Sequence, residues 1–276
     1  MNNSPRHHQS AILEIREIIQ ESPILRTYMF RHTLNSVPGQ FIMLWIPGLD
    51  EKPMAVAQDD GKILKIGVAK VGRFTTHLFN RYKVGDRLGI RGPYGNGFKL
   101  PESADPNPRQ RKRIALVGGG FGTPPLVFLA QEARKKKIEV DFIEGARSAD
   151  LLLYLKEIKK LGVRVHVSTD DGSEGFKGYA PQVLEQLLEK NKYDGVYSCG
   201  PEVMMKKVAE LASEYNVDCQ LSLERFMKCG FGICGACCMD NTGFRVCIDG
   251  PVIQGEKALK LPEFGNYSRD SGGNKK

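Results

Sequence analysis

Residues 114–125 read IALVGGGFGTPP, and this short segment carries most of the information about the architecture. Its apolar start predicts a buried strand, and the residues that follow favour a helix, so the glycines occupy a strand-to-helix turn. In that position the backbone can approach a pyrophosphate at the beginning of the helix. A strict dinucleotide fingerprint has Gly or Ala where Thr123 stands, so a tight turn without a ligand is the alternative.

Beyond this turn, strand and helix signals alternate. Such alternation is typical of a parallel sheet covered by helices. The predicted strands are Ile114–Val117, Glu139–Ile143, Val163–Ser168 and Gly195–Cys199, and the predicted helices are Leu126–Lys137, Ala149–Leu161, Pro181–Lys190 and Val203–Tyr215.

The first hundred residues show a different pattern, with short β-prone segments separated by Gly- and Pro-containing turns. Many short strands of this kind predict a small antiparallel barrel. A polar, basic stretch at residues 103–113 then predicts a linker. The predicted strands are Ala11–Ile19, Leu25–Arg31, Gln40–Ile46, Ile63–Val71 and Arg87–Arg91.

Four cysteines stand close together near the carboxyl end, in the order C-x4-C-x2-C-x9-C. This spacing is the plant-type ligand pattern for a [2Fe-2S] cluster. Glycines between the first three allow the backbone to curve closely around it. We call residues 229–247 the cysteine loop, and its predicted ligands are Cys229, Cys234, Cys237 and Cys247.

Other uses of these cysteines fit less well. A zinc site made of four cysteines usually contains two C-x2-C pairs, whereas this loop has one. Disulfides are disfavoured because the chain has seven cysteines and no secretory signal. Cys238 directly follows a predicted ligand and is interpreted as a packing residue.

Composition sets limits on the remaining functions. A chain of 276 residues with 41% hydrophobic residues predicts about two globular domains. The net charge of +8 is scattered and lacks the interleaved aromatic residues of a nucleic-acid surface, so we expect no nucleic-acid partner. Neither a signal-peptide core nor a long apolar run is present, which predicts a cytoplasmic protein without a membrane anchor.

Several motifs in this order resemble one family, the ferredoxin-reductase-type electron transfer subunits of NAD-dependent dihydroorotate dehydrogenase, and the archaeal members most closely. The resemblance covers about residues 11–262. Its motifs are Pro38–Phe41, Glu51–Met54, Gly89–Gly95, Gly118–Pro125, Gly145–Arg147, Ser168–Ser173, Cys199–Pro201 and Met227–Pro251.

The resemblance implies a ferredoxin-reductase-like division of the chain. The expected parts are an FAD-binding antiparallel β-barrel (1–102), a linker (103–113), an NAD-binding α/β domain (114–218), a [2Fe-2S] segment (219–265) and a disordered tail (266–276).

For FAD, the resemblance implies contacts from the end of one barrel strand and from a later turn. Three positions depart from the family pattern: Lys52 replaces an arginine, Ala55 lacks a hydroxyl, and Phe74 replaces a glycine. We expect an altered flavin affinity from these departures, because one lost hydrogen bond costs only about 1 kcal/mol. The implied flavin residues are Lys52, Pro53, Met54, Ala55, Gly67, Val68, Ala69, Phe74 and Thr75.

For NAD(H), the resemblance implies a pyrophosphate over the glycine turn. Cys199 is the candidate for positioning the hydride path, and a buried small residue that ends a strand is the alternative. The sequence does not separate NAD from NADP. The implied nucleotide residues are Gly118, Gly119, Gly120, Gly122, Thr123, Pro124, Thr169, Gly200 and Pro201.

The function implied is electron transfer in pyrimidine biosynthesis. Electrons would pass from an FMN-carrying dihydroorotate dehydrogenase subunit through [2Fe-2S] and FAD to NAD+, in a heterotetramer with two copies of each chain. The alternatives are the small subunit of a ferredoxin-NADP reductase, sulfide dehydrogenase or soluble hydrogenase, and a zinc-stabilised binding module.

Overall fold

The computed structural model describes residues 9–102, 111–270 and 272–275. Most of the predicted linker lies outside these ranges, as does most of the polar amino-terminal segment. Within them the chain forms two seven-stranded sheets. The first sheet is antiparallel and the second is mainly parallel, which agrees with the predicted change of pattern near residue 114.

The antiparallel sheet has the strand order β1-β7-β4-β5-β6-β3-β2. A single helix follows its sixth strand. The elements are β1 (Ala11–Glu14), β2 (Glu17–Ser22), β3 (Leu25–Phe30), β4 (Phe41–Ile46), β5 (Asp50–Asp59), β6 (Leu64–Ala69), α1 (Arg73–Arg81) and β7 (Arg87–Tyr94).

This sheet curves until its two ends meet. The single strand predicted at Ala11–Ile19 is in fact two, because β1 pairs with β7 and β2 pairs with β3 at the opposite end of the sheet. The two residues between them hold both ends, since Ile15 N donates to Asp86 O at 2.8 Å and Arg16 N donates to Met29 O at 2.8 Å. The result is the expected barrel-like architecture.

Two elements of this half were not predicted. In β5, Pro53 and several charged residues lower the strand propensity, but pairing with β4 and β6 on its two sides forms the strand. In α1, the buried side chains Phe74, Leu78 and Phe79 lie on one face, and this face closes the core of the barrel.

The second half contains the predicted βαβ alternation, with strand order β11-β10-β9-β8-β12-β13-β14. Its elements are β8 (Arg113–Gly119), α2 (Thr123–Lys135), β9 (Glu139–Ala146), α3 (Leu155–Lys160), β10 (Arg164–Thr169), β11 (Phe176–Lys177), α4 (Ala180–Lys190), β12 (Gly195–Cys199), α5 (Glu202–Glu214), β13 (Cys219–Ser222), α6 (Val246–Asp249), β14 (Val252–Gln254) and α7 (Gly255–Ala258).

All pairs in this sheet are parallel except β13 with β14. The carboxyl ends of β8, β9, β10 and β12 therefore meet at one edge, where ligands of doubly wound folds bind. The sheet also extends past residue 218, the expected end of the NAD-binding domain. Both β13 and β14 come from the expected [2Fe-2S] segment and complete the sheet on each side of the cysteine loop.

The predicted helix Ala149–Leu161 is interrupted. A 3-10 turn covers Ala149–Leu151, Tyr154 has a left-handed backbone with φ 54°, and only Leu155–Lys160 is α-helical. The reason is tertiary, because the Tyr154 hydroxyl lies 2.7 Å from the Thr27 hydroxyl of the barrel.

The two halves pack tightly against each other along α2. Phe128 of α2 is part of the barrel core. Pro124 lies so close to Gly67 of β6 that a Cβ on Gly67 would be 2.6 Å from its Cγ atom. Together with the bond between Thr27 and Tyr154, these contacts fix the barrel against the parallel sheet.

The tail was expected to be disordered, and two of its described residues contact the cysteine loop. The Tyr267 hydroxyl donates to Asp240 at 2.9 Å, and Arg269 forms an ion pair with the same carboxylate at 2.5 Å. Among the described residues, no helix has the length and apolar character needed to cross a membrane.

Candidate functional site

A cleft of about 1570 Å³ lies between the barrel and the carboxyl edge of the parallel sheet. We call it the cofactor cleft. Both halves contribute walls: Lys52, Ala55 and Phe74 line it from the barrel, and Gly120 and Cys199 line it from the sheet. Two ligands that bind to opposite walls of this cleft would therefore meet inside it.

Most of the predicted flavin residues line the barrel wall. Lys52 pairs with Asp50 at 2.6 Å, and its Nζ atom lies 5.1 Å from the centre of the Phe226 ring. Val68 does not line the wall, because its side chain is fully buried in the barrel core. The predicted residues found on this wall are Lys52, Pro53, Met54, Ala55, Gly67, Ala69, Phe74 and Thr75.

The amino end of α1 also faces the cleft. The Thr75 hydroxyl accepts hydrogen bonds from Val71 N at 3.0 Å and Gly72 N at 3.1 Å, so it fixes the start of the helix. The first turn has no acidic side chain, and it begins with Arg73, which lines the cleft. Free N–H groups and the helix dipole make such an end suited to phosphate. Phe74 occupies the expected glycine position because its ring fills the barrel core.

The glycines of the sheet wall are required by close backbone contact. A Cβ on Gly122 would lie 2.2 Å from the carbonyl carbon of Cys199, and one on Gly119 would lie 2.7 Å from Met204 Sδ. Gly120 has φ 53°. Only glycine permits the turns after β8 and β12 to approach this closely, which exposes backbone to the cleft.

A buried carboxyl group lies directly beneath this turn. The Thr123 hydroxyl donates to both oxygens of Glu144, at 3.0 and 2.9 Å, and Leu153 N donates to Oε1 at 3.4 Å. Burial raises the pKa of Glu144 to about 8, although these hydrogen bonds lower it in part. Thr123 therefore anchors the turn from below and does not face the cleft. Sequence reasoning missed Glu144, because a lone acidic residue in a strand has no motif.

Several other predicted nucleotide residues lie behind the wall. The Thr169 hydroxyl donates to Glu174 O at 2.7 Å, so it closes a local loop. Gly118 lies over Glu144, and Pro124 packs on Gly67. The predicted residues that do line the sheet wall are Gly119, Gly120, Gly122, Cys199, Gly200 and Pro201.

Cys199 ends β12 at the point where the two walls face each other. Burial and, to a smaller extent, the nearby Glu224 carboxylate raise the pKa of its thiol to about 12, although a hydrogen bond with Ser222 opposes the shift. The thiol is therefore neutral at physiological pH. A neutral, compact group at this position can contact an aromatic ring without adding charge to the cleft.

Charged side chains of the cleft were largely absent from the sequence prediction. Arg73 and Lys207 line it, as do Arg147 and Asp170 at the ends of two neighbouring strands. Arg147 and Asp170 fall within motifs that resemble the family, but the four residues are far apart in sequence and only the fold brings them to one cavity. Their cations suit the phosphates of a dinucleotide.

The cysteine loop places its four predicted ligands in two pairs. Cys234 N donates to Cys229 Sγ at 3.5 Å, and Cys247 N donates to Cys237 Sγ at 3.4 Å. Grouped His, Cys, Asp or Glu side chains that could hold a single metal ion are not found within the described ranges. Two thiolates for each of two irons is the ligand set of a [2Fe-2S] cluster, so these pairs fit that group.

The two pairs differ in their electrostatics. Burial raises the pKa of Cys229, but backbone N–H groups of Cys234, Phe231 and Ile233 outweigh it and lower the pKa to about 6. Burial and the adjacent Cys237 raise the pKa of Cys247 to about 12. Cys238 belongs to neither pair, and its Sγ lies 3.8 Å from Met239 O.

The chain is similar to known proteins over most of its length. Residues 224–258 match the iron-sulfur cluster binding domain of dihydroorotate dehydrogenase B, and residues 116–210 match the oxidoreductase NAD-binding domain. The chain is 44% identical over 264 residues to the probable dihydroorotate dehydrogenase B (NAD(+)), electron transfer subunit, of Methanocaldococcus jannaschii, with 96% of this chain and 97% of that protein covered. It belongs to this family.

A second family member, from Methanothermobacter thermautotrophicus, is 45% identical, with 95% of each chain covered. These relatives confirm the resemblance read from the motifs and identify the chain as an oxidoreductase subunit that works with a catalytic partner. They do not favour the alternative complexes. Together with the matched domains they also confirm the predicted cofactors, [2Fe-2S], FAD and NAD(H).

Solved structures confirm the fold of this electron transfer subunit. A chain in the structure of the NADH-dependent reduced ferredoxin-NADP oxidoreductase has a TM-score of 0.78, 28% identity and 89% coverage of both chains. The ferredoxin reductase of carbazole 1,9a-dioxygenase has a TM-score of 0.65, with 21% identity, 75% of this chain and 66% of that chain covered. The second likeness shows the fold alone.

Proposed function

We propose that this subunit receives electrons from dihydroorotate oxidation in an FMN-carrying partner through the cysteine loop and transfers them within the cofactor cleft to NAD+. The observation that carries the proposal is the cleft itself. Ala55 of the barrel wall and Cys199 of the sheet wall line one cavity, so a flavin on the first wall and a nicotinamide on the second would face each other.

The chain's residues have distinct parts in this proposal. Bound FAD would convert between single electrons and a hydride, which is chemistry that the cofactor supplies. The amino end of α1 and Arg73 would hold flavin phosphates, and the turn at Gly119–Gly122 would hold those of the nucleotide. Cys199 would orient the two rings as a neutral contact. The cysteine loop would hold [2Fe-2S] through its two thiolate pairs.

The stoichiometry limits what the cleft must do. Oxidation of dihydroorotate to orotate releases two electrons and two protons, whereas NAD+ takes up two electrons and one proton. One proton therefore goes to solvent in each turnover. In this proposal the cysteine loop transfers only electrons, and proton exchange takes place in the partner and in the cleft.

The test is anaerobic addition of dihydroorotate to the purified chain together with its co-purified catalytic subunit. We expect the flavin and cluster absorbance to bleach, and NADH to form when NAD+ is added. The chain alone should be reduced by NADH but not by dihydroorotate. Bleaching by reduced ferredoxin with no response to dihydroorotate would contradict the proposal.

Assembly and cofactor preference need separate measurements. We propose two copies of each subunit and a cytoplasmic location, on the basis of the family resemblance. Mass determination of the intact complex tests the stoichiometry, and FMN analysis of the partner tests whether it carries that flavin. Parallel binding titrations with NADH and NADPH test the preference for NAD that the names of the relatives suggest.

A further inference from the structure

Arg91 of β7 is a nearly buried cation, with 10% of its side chain exposed. Its counter-ion is Glu51 of β5: Nε donates to Oε1 at 2.6 Å and Nη2 donates to Oε2 at 2.6 Å. Two short parallel bonds of this kind are the strong bidentate form of an ion pair. The charge is therefore held firmly in one place.

The same guanidinium reaches into the cysteine loop. Its Nη2 donates to the carbonyl oxygen of Cys229 at 2.7 Å, and its Nη1 donates to the Tyr94 hydroxyl at 3.0 Å. It also lies 5.4 Å from the ring centres of both Tyr94 and Phe231. Arg91 thus connects the barrel directly to the first predicted iron ligand.

The pair also lies beside the barrel wall of the cofactor cleft. Glu51 precedes Lys52 in β5, and Lys52 lines the cofactor cleft. The strands of Glu51 and Arg91 are both paired with β4, and Met43 of β4 is the register partner of both Pro53 and Arg91. One ion pair therefore links the strand that lines the cleft to the loop that holds the thiolates.

We propose that the Glu51–Arg91 pair tunes the reduction potential of the [2Fe-2S] cluster held by the cysteine loop, with Arg91 favouring the reduced state and Glu51 opposing it. This inference rests on the proposed function of the loop. Reduction adds one electron to the cluster and no proton to the pair, because Arg91 is charged at every accessible pH. A fixed cation beside a ligand stabilises the added negative charge.

This role predicts shifts of opposite sign. Arg91→Gln removes the cation and leaves the Glu51 anion beside the loop, so the potential should fall. Glu51→Gln removes the anion and leaves Arg91 in place, so the potential should rise. Arg91→Lys keeps the charge without the bidentate fork, and should lie nearer to the wild type than Arg91→Gln does. If the pair had only a structural role, the two substitutions would not be expected to shift the reduction potential in opposite directions.

The experiment is a redox titration of the cluster in the purified complex, followed by the electron paramagnetic resonance signal of the reduced form. The matched control is Arg87→Gln, which removes an exposed arginine from the same strand and should leave the potential unchanged. Shifts of the same sign in Arg91→Gln and Glu51→Gln, or an equal shift in the control, would overturn the inference. If Arg91→Gln fails to assemble, Glu51→Gln and Arg91→Lys decide it: the potential should rise in the first and stay close to the wild type in the second, and no rise in Glu51→Gln would overturn the inference.

The result also separates this inference from the proposed function. A wild-type complex without any [2Fe-2S] signal would contradict the function assigned to the cysteine loop. A normal wild-type signal whose potential does not respond to Glu51→Gln would contradict only the role of the pair.

Discussion

The cysteine loop and the cofactor cleft are built in opposite ways. The loop takes its four predicted ligands from one continuous segment, Cys229 to Cys247. The cleft takes its walls from residues as distant as Ser22 and Arg269. Side-chain identity and spacing therefore define the loop, whereas the cleft depends on how closely backbone segments from two sheets approach one another.

This difference predicts two kinds of sensitivity to mutation. Changes in the loop should act on one cofactor through the loss of a ligand atom. Changes around the cleft should act through space and buried polar contacts, including residues that never touch a ligand. The following variants test this contrast.

The largest effect is expected in the loop. Cys237→Ala removes one thiolate of the Cys237–Cys247 pair, and we expect loss of the cluster absorbance and of its iron and sulfide. Cys238→Ala is the matched control, because its sulfur belongs to neither pair, and should keep the cluster. Loss of the cluster in Cys238→Ala but not in Cys237→Ala would show that the ligands are assigned wrongly.

The next effect concerns the carboxyl group beneath the glycine turn. The pKa of Glu144 is raised from 4.5 in its usual environment to about 8 in the folded protein. The folded state therefore binds more protons than the unfolded state between these values, so stability falls as pH rises through this window. Glu144→Gln should remove this decline, on the order of 3 kcal/mol in the free energy of unfolding.

Denaturant unfolding at several pH values between 5 and 8 measures this slope. Glu214→Gln, which changes an exposed carboxylate at the end of α5, should leave the slope as it is in the wild type. An unchanged slope in Glu144→Gln would mean that Glu144 is ionised in the folded protein.

Steric contact at the turn comes third. Gly122→Ala places a Cβ 2.2 Å from Cys199 backbone, so the two turns must separate. We expect a stability loss of about 2 kcal/mol and weaker NADH binding. Gly120→Ala meets nothing within 4 Å and has only its φ of 53° to overcome, which costs about 1 kcal/mol. Thermal unfolding and NADH titration compare the two, and a larger effect in Gly120→Ala would contradict the steric explanation.

The smallest effect concerns the contact between the halves. Tyr154→Phe removes the buried hydrogen bond to Thr27, and we expect a loss of about 1 kcal/mol in the free energy of unfolding. A double-mutant cycle with Thr27→Val measures the coupling. Tyr215→Phe is the control, because its hydroxyl has no hydrogen-bond partner among the residues that the structure describes. Zero coupling would mean that the bond does not hold the halves together.

Much of the fold was predictable because its signals are local. The alternation after Ile114 predicted β8, β9, β10 and β12 and the helices between them, and most barrel strands followed from their Gly and Pro turns. The errors arose where tertiary pairing overrides local propensity. Pro53 lies inside β5 because two neighbouring strands hold it, and Tyr154 breaks a predicted helix because its hydroxyl bonds to the barrel.

The predicted site residues divide in the same way. Gly119, Gly120 and Gly122 line the cleft, as expected for a turn that exposes backbone. Thr123, Thr169 and Val68 have side chains engaged elsewhere, with Glu144, Glu174 and the barrel core. Their neighbours in space are distant in sequence, so no local pattern could assign those partners.

By itself, the sequence determined the spacing of the four cysteines, the two sheet types and the family. These depend on residue types at fixed spacing, which can be read directly from the sequence. Only the tertiary structure decided the shape of the cleft, the neutral state of Cys199, the carboxyl beneath the glycine turn and the Glu51–Arg91 contact with Cys229. Each of these requires groups from separate elements to be buried together, because burial and proximity set pKa values, exclude side chains and fix charges in place.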